Sequence, residues 1–298
     1  MKRLITICAA VVLVFFGAGY AIAGTWTTID KLGENLTHIY GIDGSNLIGN
    51  YGNYYNTSGG CHGFLYNGTN WTTIDKPGSI DTSIMGIDGS NLVGLYRDDS
   101  GNHGFLYNGA SWTTIDIDKP GATGTYIEDI EGNTLVGVYS VIGSGNHGFL
   151  YNTISQSWTT LDKPGATNTQ IYGIDVSNLV GNYRDGSGDH GFLYNGTDWT
   201  SFDKPGAVGT LISGIDGSNM VGWYSDGSSL HGFLYDGTSW ITLDKPGATG
   251  TQIYKIDGSN LVGTYSDASG DHGFVYTIPE PATLLLVGLG AVLLRKKH

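Results

Sequence analysis

Six histidines recur in one setting, H-G-F-[LV]-Y, at His62–Tyr66, His103–Tyr107, His147–Tyr151, His190–Tyr194, His231–Tyr235 and His272–Tyr276. Imidazole binds metals and moves protons near neutral pH, so the set invites a metal-binding or acid–base reading. Its recurrence argues against catalysis, because an active site needs one asymmetric constellation rather than copies of one residue. A histidine at each strand start, bonded to neighbouring backbone, accounts for them more simply.

A second set is acidic: Asp98 and Asp99, Asp185 and Asp189, Asp226, and Asp267 and Asp271. Oxygen ligands on such loops could hold Ca²⁺. None of the loops follows the D-x-D-x-D-G spacing, and Asp-Gly-Ser is ordinary turn chemistry. Asp98, Asp185, Asp226 and Asp267 therefore stand as ligand-face candidates. No metal site or cofactor is assigned, with calcium the one cation the loops would suit. There is no G-x-S-x-G elbow, H-E-x-x-H pair, Walker loop or dinucleotide fingerprint. Glutamate in the body is limited to Glu34, Glu128 and Glu131, and no isolated carboxylate pair stands out. No catalytic residue is assigned, and the chain reads as a non-enzyme.

The elements that would position these residues come from the repeat itself. Trp26, Trp71, Trp112, Trp158, Trp199 and Trp240 each open a W-[TI]-[TS]-[ILF]-D block, and the period is near 41 residues. Such a period marks a repeat architecture. Each unit carries four segments of about five residues, rich in β-branched and aromatic side chains and bounded by Gly, Asn, Asp or Pro. Asp-Gly-Ser-Asn at 43–46, 88–91, 216–219 and 257–260 and Asn-Gly at 67–68, 108–109 and 195–196 are hairpin signals. Lys-Pro-Gly at 76–78, 119–121, 163–165, 204–206 and 245–247 presets a turn. Length changes fall between these segments: a long Tyr51–His62 connection, an Ile117-Asp118 insertion and a long Tyr151–Trp158 connection.

These features predict an all-β fold, a six-bladed β-propeller of four-stranded antiparallel blades. IYGID is the inner strand, LVG-x-Y the second, HGFLY the third and WTTID the outer one. The last unit then lacks an outer strand, and Trp26–Asp30 is left over at the start. It should pair with His272–Tyr276 and close the ring, leaving no free edge. The repeated Trp and Tyr read as packing between blades rather than as a sugar-stacking platform.

Composition agrees. Glycine, 49 of 298 residues, is about twice its usual share, yet 19 Tyr and 7 Trp rule out a collagen-like or featureless chain. Net charge is −13, and the body is more acidic still without the terminal bases Lys2, Arg3, Arg295, Lys296 and Lys297. Such a surface repels phosphate backbones, so nucleic acid is excluded as a partner. Cys61 is the only cysteine beyond the leader, which forbids an internal disulfide. The lone thiol is either inert or available to another chain.

The ends are addresses. Residues 1–23 read as a secretory signal peptide: a basic start, an apolar run and an Ala21-Ile22-Ala23 site, with cleavage between Ala23 and Gly24. Residues 24–277 are the repeat body. Residues 278–298 hold Pro279, Glu280 and Pro281, an apolar stretch to Leu294 and a basic tip. That stretch is short for a full membrane span, and its basic end should remain cytoplasmic. The segment resembles the PEP-CTERM sorting signal, whose triplet falls on Pro279, Glu280 and Pro281. The resemblance implies an exosortase-type processing enzyme as partner, transient anchoring in the inner membrane and an exopolysaccharide setting. The repeat from Gly24 to Tyr276 also resembles the HAF-type extracellular repeat family, with Gly where that family has Ala.

The expected role is an exported, surface- or matrix-associated propeller contacting extracellular polysaccharide or surface proteins. Two alternatives stand: a secreted enzyme acting on carbohydrate, which would need one blade to depart from the repeat with carboxylates or histidines aimed at the axis, and a calcium-stabilised module.

Overall fold

A computed structural model describes residues 24–52, 60–109 and 116–279. The strands run as antiparallel meanders, and the inner ones are Thr37–Asp43, Asp81–Asp88, Gly124–Glu131, Asn168–Asp175, Gly209–Asp216 and Gly250–Asp257. They are numbered here as units one to six. Units one, four, five and six are separate four-stranded sheets. Units two and three, expected to stand apart, share one eight-stranded sheet. A single parallel bridge, Gly124 to Asn102, joins them. Asn102 Nδ2 also donates to the Tyr126 hydroxyl at 3.1 Å, which draws the third strand of unit two onto the inner strand of unit three.

Unit six takes its fourth strand from the start of the chain. Thr25–Ile29 pairs antiparallel with Gly270–Thr277, placing Trp26 opposite Tyr276 and Ile29 opposite Gly273. Trp26 packs on the Phe274 and Tyr276 rings at centroid distances of 4.8 and 4.7 Å. Unit four makes the same packing with local chain: Trp199 lies 4.8 Å from Phe192 and 4.7 Å from Tyr194. The described tryptophans of these blocks thus stack on rings of their own unit, across its third and fourth strands, while Trp71 and Trp158 also receive a lysine from the preceding unit's turn.

The core is built in rings. Ile39, Ile84, Ile127, Ile171, Ile212 and Ile253 on the inner strands have no exposed surface. Phe64, Phe105, Phe149, Phe192, Phe233 and Phe274 on the third strands are equally buried. Neighbouring units share this core: Val93 packs with Ile127 and Phe149, and Val262 of unit six packs with Ile39 and Phe64 of unit one. Burying such side chains contributes about 2 kcal/mol each, so the shared clusters help hold neighbouring units together.

A bulge in every inner strand sets what reaches the axis. The ladder skips Tyr40, Met85, Glu128, Tyr172, Ser213 and Tyr254, one per unit. The facing second-strand residue is always glycine; at Gly49 or Gly137 a Cβ would strike the carbonyl of His38 or Tyr126. Bulges re-aim side chains, and here they turn one residue per unit toward the centre.

Candidate functional site

Around the rim, each unit ties its histidine to two other elements. Nδ1 of His62, His103, His147, His190, His231 and His272 donates to Asp75, Asp118, Asp162, Asp203, Asp244 and Asp30 at 2.7–2.9 Å. The partner is a carboxylate closing the fourth strand, not backbone as the sequence suggested. In units one to four the same carboxylate also accepts the next backbone N–H, as in Gly104 to Asp118 at 3.3 Å. The imidazoles stack on second-strand tyrosines, for example Tyr183 on His190 at 5.1 Å. The lysine of each Asp-Lys-x-Gly turn lies over the same tyrosine, as Lys163 does over Tyr183 at 4.4 Å.

Two details revise the reading of these turns. Lys31-Leu32-Gly33 is a sixth copy: Gly33 has φ 89° where Gly78 has 84°, and Lys31 N donates to Thr37 as Lys76 N does to Thr82. Leucine stands in it where the other copies have proline, so it lacks the Lys-Pro-Gly signature. In unit two, Asp118 meets His103, and Ile117 pairs opposite Gly104. Ile117-Asp118 are therefore the regular end of that block, and the two extra residues lie earlier in the chain.

The four acidic ligand-face candidates sit beside this network, each in its own unit. Asp98, Asp185, Asp226 and Asp267 each accept the backbone N–H and hydroxyl of the serine two residues on, at 2.5–2.7 Å. Each also faces Nε2 of its histidine at 3.2–3.4 Å. The serine bonds, followed by the nearby imidazole, hold all four carboxyls below the usual carboxylate range, Asp98 at about 2. His231 is raised, first by its bond to Asp244 and against partial burial. His103 and His272 rise too, the carboxylates on both ring nitrogens outweighing burial. The structure does not bring the four aspartates together, and their acceptor capacity is largely spent inside their own turns. Among the described residues no His/Cys/Asp/Glu group is arranged to hold a metal ion. Cys61 is buried at 2 % exposure, its N–H bonded to Asp81.

At the axis the six-fold sameness breaks. One mouth is a cavity of about 220 Å³ lined by all six inner strands. Its rim carries Asp43, Asp88, Glu131, Asp175, Asp216 and Asp257. Each accepts a backbone N–H from the following unit: Gly89 to Asp43, Gly132 to Asp88, Val176 to Glu131, Gly217 to Asp175, Gly258 to Asp216, and Gly44 to Asp257. The girdle returns to its own start.

The position just inside this rim is glycine in four units, where inner strands approach backbone to backbone. In unit three it is Asp129, and in unit six, opposite across the axis, it is Lys255. Lys255 Nζ lies 2.7 Å from Asp129 Oδ2 and donates to the Tyr172 carbonyl at 2.6 Å. Asp129 also accepts N–H groups of Ile130 and Ile174. The pair lies across the channel and separates the acidic mouth from a second cavity of about 70 Å³. That one is lined by the bulge residues Tyr40, Met85, Glu128, Tyr172, Ser213 and Tyr254, with Trp223 and Lys255. Burial pushes the Glu128 carboxyl up to about 7, against the pull of Lys255 and with help from Asp129. Burial also raises the Tyr172 hydroxyl.

Sequence reasoning passed over Glu128, Asp129 and Lys255. The signal was present: IEDIE and IYKID depart from the IYGID consensus. Neither departure meant anything until units three and six were known to face one another.

Comparisons agree with this geometry at the level of fold. The PEP-CTERM protein-sorting motif matches residues 277–297. No curated protein matches the chain. TolB from Acinetobacter baumannii superposes with a TM-score of 0.55 at 11 % identity, over 80 % of this chain and 65 % of TolB, so the chain spans just under two thirds of that protein. The β-propeller domain of the Trilobed protease from Pyrococcus furiosus, described as having an open velcro topology, gives 0.54 at 8 % identity, over 80 % of this chain and 93 % of that one. SapL1 lectin, solved with alpha methyl fucoside, gives 0.54 at 13 % identity, over 80 % and 94 %. At these identities the likeness is one of fold alone. Pro279 is the last described residue; residues 1–23, among them Ala23 of the expected cleavage site, Trp112, Glu280 and Pro281 lie outside the described residues. Among the described residues no helix is long and apolar enough to cross a membrane. The chain is an exported surface protein with a β-propeller fold, carrying a C-terminal signal for exosortase-type processing and membrane anchoring.

Proposed function

We propose that the protein is a non-enzymatic binding module, a six-bladed ring closed by its first strand, that contacts extracellular polysaccharide or surface proteins. The observation that supports this most is the repeated rim. Six units present the same His–Asp–Tyr–Lys arrangement with its hydrogen bonds satisfied internally. A surface that repeats around a ring suits a ligand that also repeats, since several weak contacts multiply into avidity. SapL1, a lectin of this fold, was solved with alpha methyl fucoside, which supports a carbohydrate ligand. The likeness to HAF-type extracellular repeats belongs to the same reading.

In this account residues 1–23 are removed between Ala23 and Gly24. The segment 278–298 holds the chain in the inner membrane until processing, and the body ends at the cell surface or in the matrix. No cofactor is required; an unchanged melting temperature in EDTA is expected, and a marked drop would favour calcium on the aspartate loops. The test of the main reading is retention of the purified body on a glycan array and on the producing cell's polysaccharide, with pull-down of surface proteins. Absence of any partner in both would refute it.

One observation favours the alternative of a carbohydrate-acting enzyme. Glu128, held near neutrality as an acid, sits beside Asp129 on the axis, and such carboxyl pairs can serve acid–base chemistry. A hydrolase screen comparing the native chain with Glu128→Gln separates the two readings.

A further inference from the structure

The axial cavity has a chemistry that the repeated rim does not share. Glu128 is half-buried and lines the cavity, and no hydrogen bond joins its carboxyl to any described residue. A carboxylate facing apolar walls is poorly solvated, and such a group held in a cavity points to a ligand that completes it.

The walls define what that is. Tyr40 and Tyr254 meet at a ring-centroid distance of 5.0 Å and an angle of 66°. Trp223 and Tyr254 meet at 5.4 Å and 76°. Three aromatic rings thus meet edge to face in the cavity lining, which Tyr172 and Met85 share. A hard metal ion would need about six oxygen ligands, which carbon-faced walls do not supply. A neutral sugar would leave the carboxylate charge uncompensated. Lys255 compensates it only in part, because its ammonium is also engaged by Asp129 and the Tyr172 carbonyl. The six-carboxylate girdle beyond Lys255 adds to the negative potential. Aromatic faces and a carboxylate together attract a cation that carries its own apolar shell.

We propose that the axial cage binds a small substituted ammonium group, with Glu128 as counter-ion and Tyr40, Trp223 and Tyr254 as walls. The site is separate from the rim and goes beyond the polymer contact proposed above. Its volume, about 70 Å³, fits a head group rather than a whole large ligand.

The experiment is a titration of the mature chain with tetramethylammonium chloride at pH 8, at ionic strength held constant with sodium chloride, read by calorimetry and by saturation transfer to the ligand methyl groups. The expected result is one saturable site. Glu128→Gln should weaken it by about tenfold or more, and Trp223→Ala should weaken it as well. Asp198→Asn, on an outer loop, should leave it unchanged. Thermal melts of each variant guard against misfolding, and Glu128→Gln should be no less stable than the native chain at that pH. No saturation by about 100 mM, a weaker affinity than any functional site would show, overturns the proposal. So does binding that Glu128→Gln leaves intact. Either result would leave retention on glycans untouched, so the two ideas fail separately.

Discussion

Asp30 and His272 are 242 positions apart in the chain, and the Asp30 carboxylate accepts a hydrogen bond from His272 Nδ1 at 2.9 Å. The same bond joins His190 to Asp203 only 13 residues away. One interaction therefore serves as a local clasp in unit four and as the link between the chain's two ends in unit six.

That equivalence gives the first prediction. Trp26→Ala should destabilise the protein by about 2–3 kcal/mol, matching Trp199→Ala in unit four. Chemical denaturation of the two variants measures it. A silent Trp26→Ala beside a costly Trp199→Ala would show that Thr25–Ile29 contributes nothing to unit six.

Val176 supplies the second. It occupies φ 56° where Gly44, Gly89, Gly132, Gly217 and Gly258 sit at 55–59°. A β-branched residue in the left-handed region is strained by about 1–2 kcal/mol. Val176 is 78 % exposed, so its side chain offers little packing in return. Val176→Gly should stabilise the protein by about 1 kcal/mol, read as a rise in denaturant midpoint at unchanged slope.

The third concerns pH. His103, His231 and His272 are raised, so their contribution is full below the ordinary imidazole range and is lost as pH rises through their folded values. Glu128 is raised to about 7, so its ionised form opposes folding and stability falls between about 4.5 and 7. Asp98, Asp185, Asp226 and Asp267 are lowered, and what they contribute is lost only on going below the ordinary carboxylate range. The melting temperature should therefore peak on the acid side, near pH 5, and decline toward pH 8. Glu128→Gln should flatten that decline and stabilise the chain at pH 8 by up to about 3 kcal/mol. A stability maximum at or above pH 8 would contradict the assignment.

The fourth tests the bulge that aims Glu128. Gly137 faces the Tyr126 carbonyl so closely that no Cβ fits. Gly137→Ala should cost more than about 2 kcal/mol and remove binding in the axial cage even where the fold survives. Gly196→Ala, in an outer turn at φ 94°, strains the chain without touching the axis and should leave cage binding intact.

Much of this was legible in the sequence for a physical reason: the period, the strand phase and the leftover Trp26–Asp30 all follow from alternation and turn chemistry, which are local. The pairing of Thr25–Ile29 with Gly270–Thr277 is what that phase requires. What was not legible depends on contacts between units. The merging of units two and three rests on one close approach at Gly124, and the histidines' aspartate partners follow from register between third and fourth strands. The axial cluster is the clearest case. Glu128, Asp129 and Lys255 acquire meaning only when residues about 126 positions apart face each other across a ring, and a linear reading of near-identical copies averages such departures away.

The most direct test of the proposed role is to incubate the purified mature chain with extracellular polysaccharide of the producing cells, measuring retention and released fragments together, for the native protein and Glu128→Gln. Retention of both proteins with no fragments is the predicted result. Fragment release that disappears in Glu128→Gln would make the axial cluster an active site and the protein an enzyme.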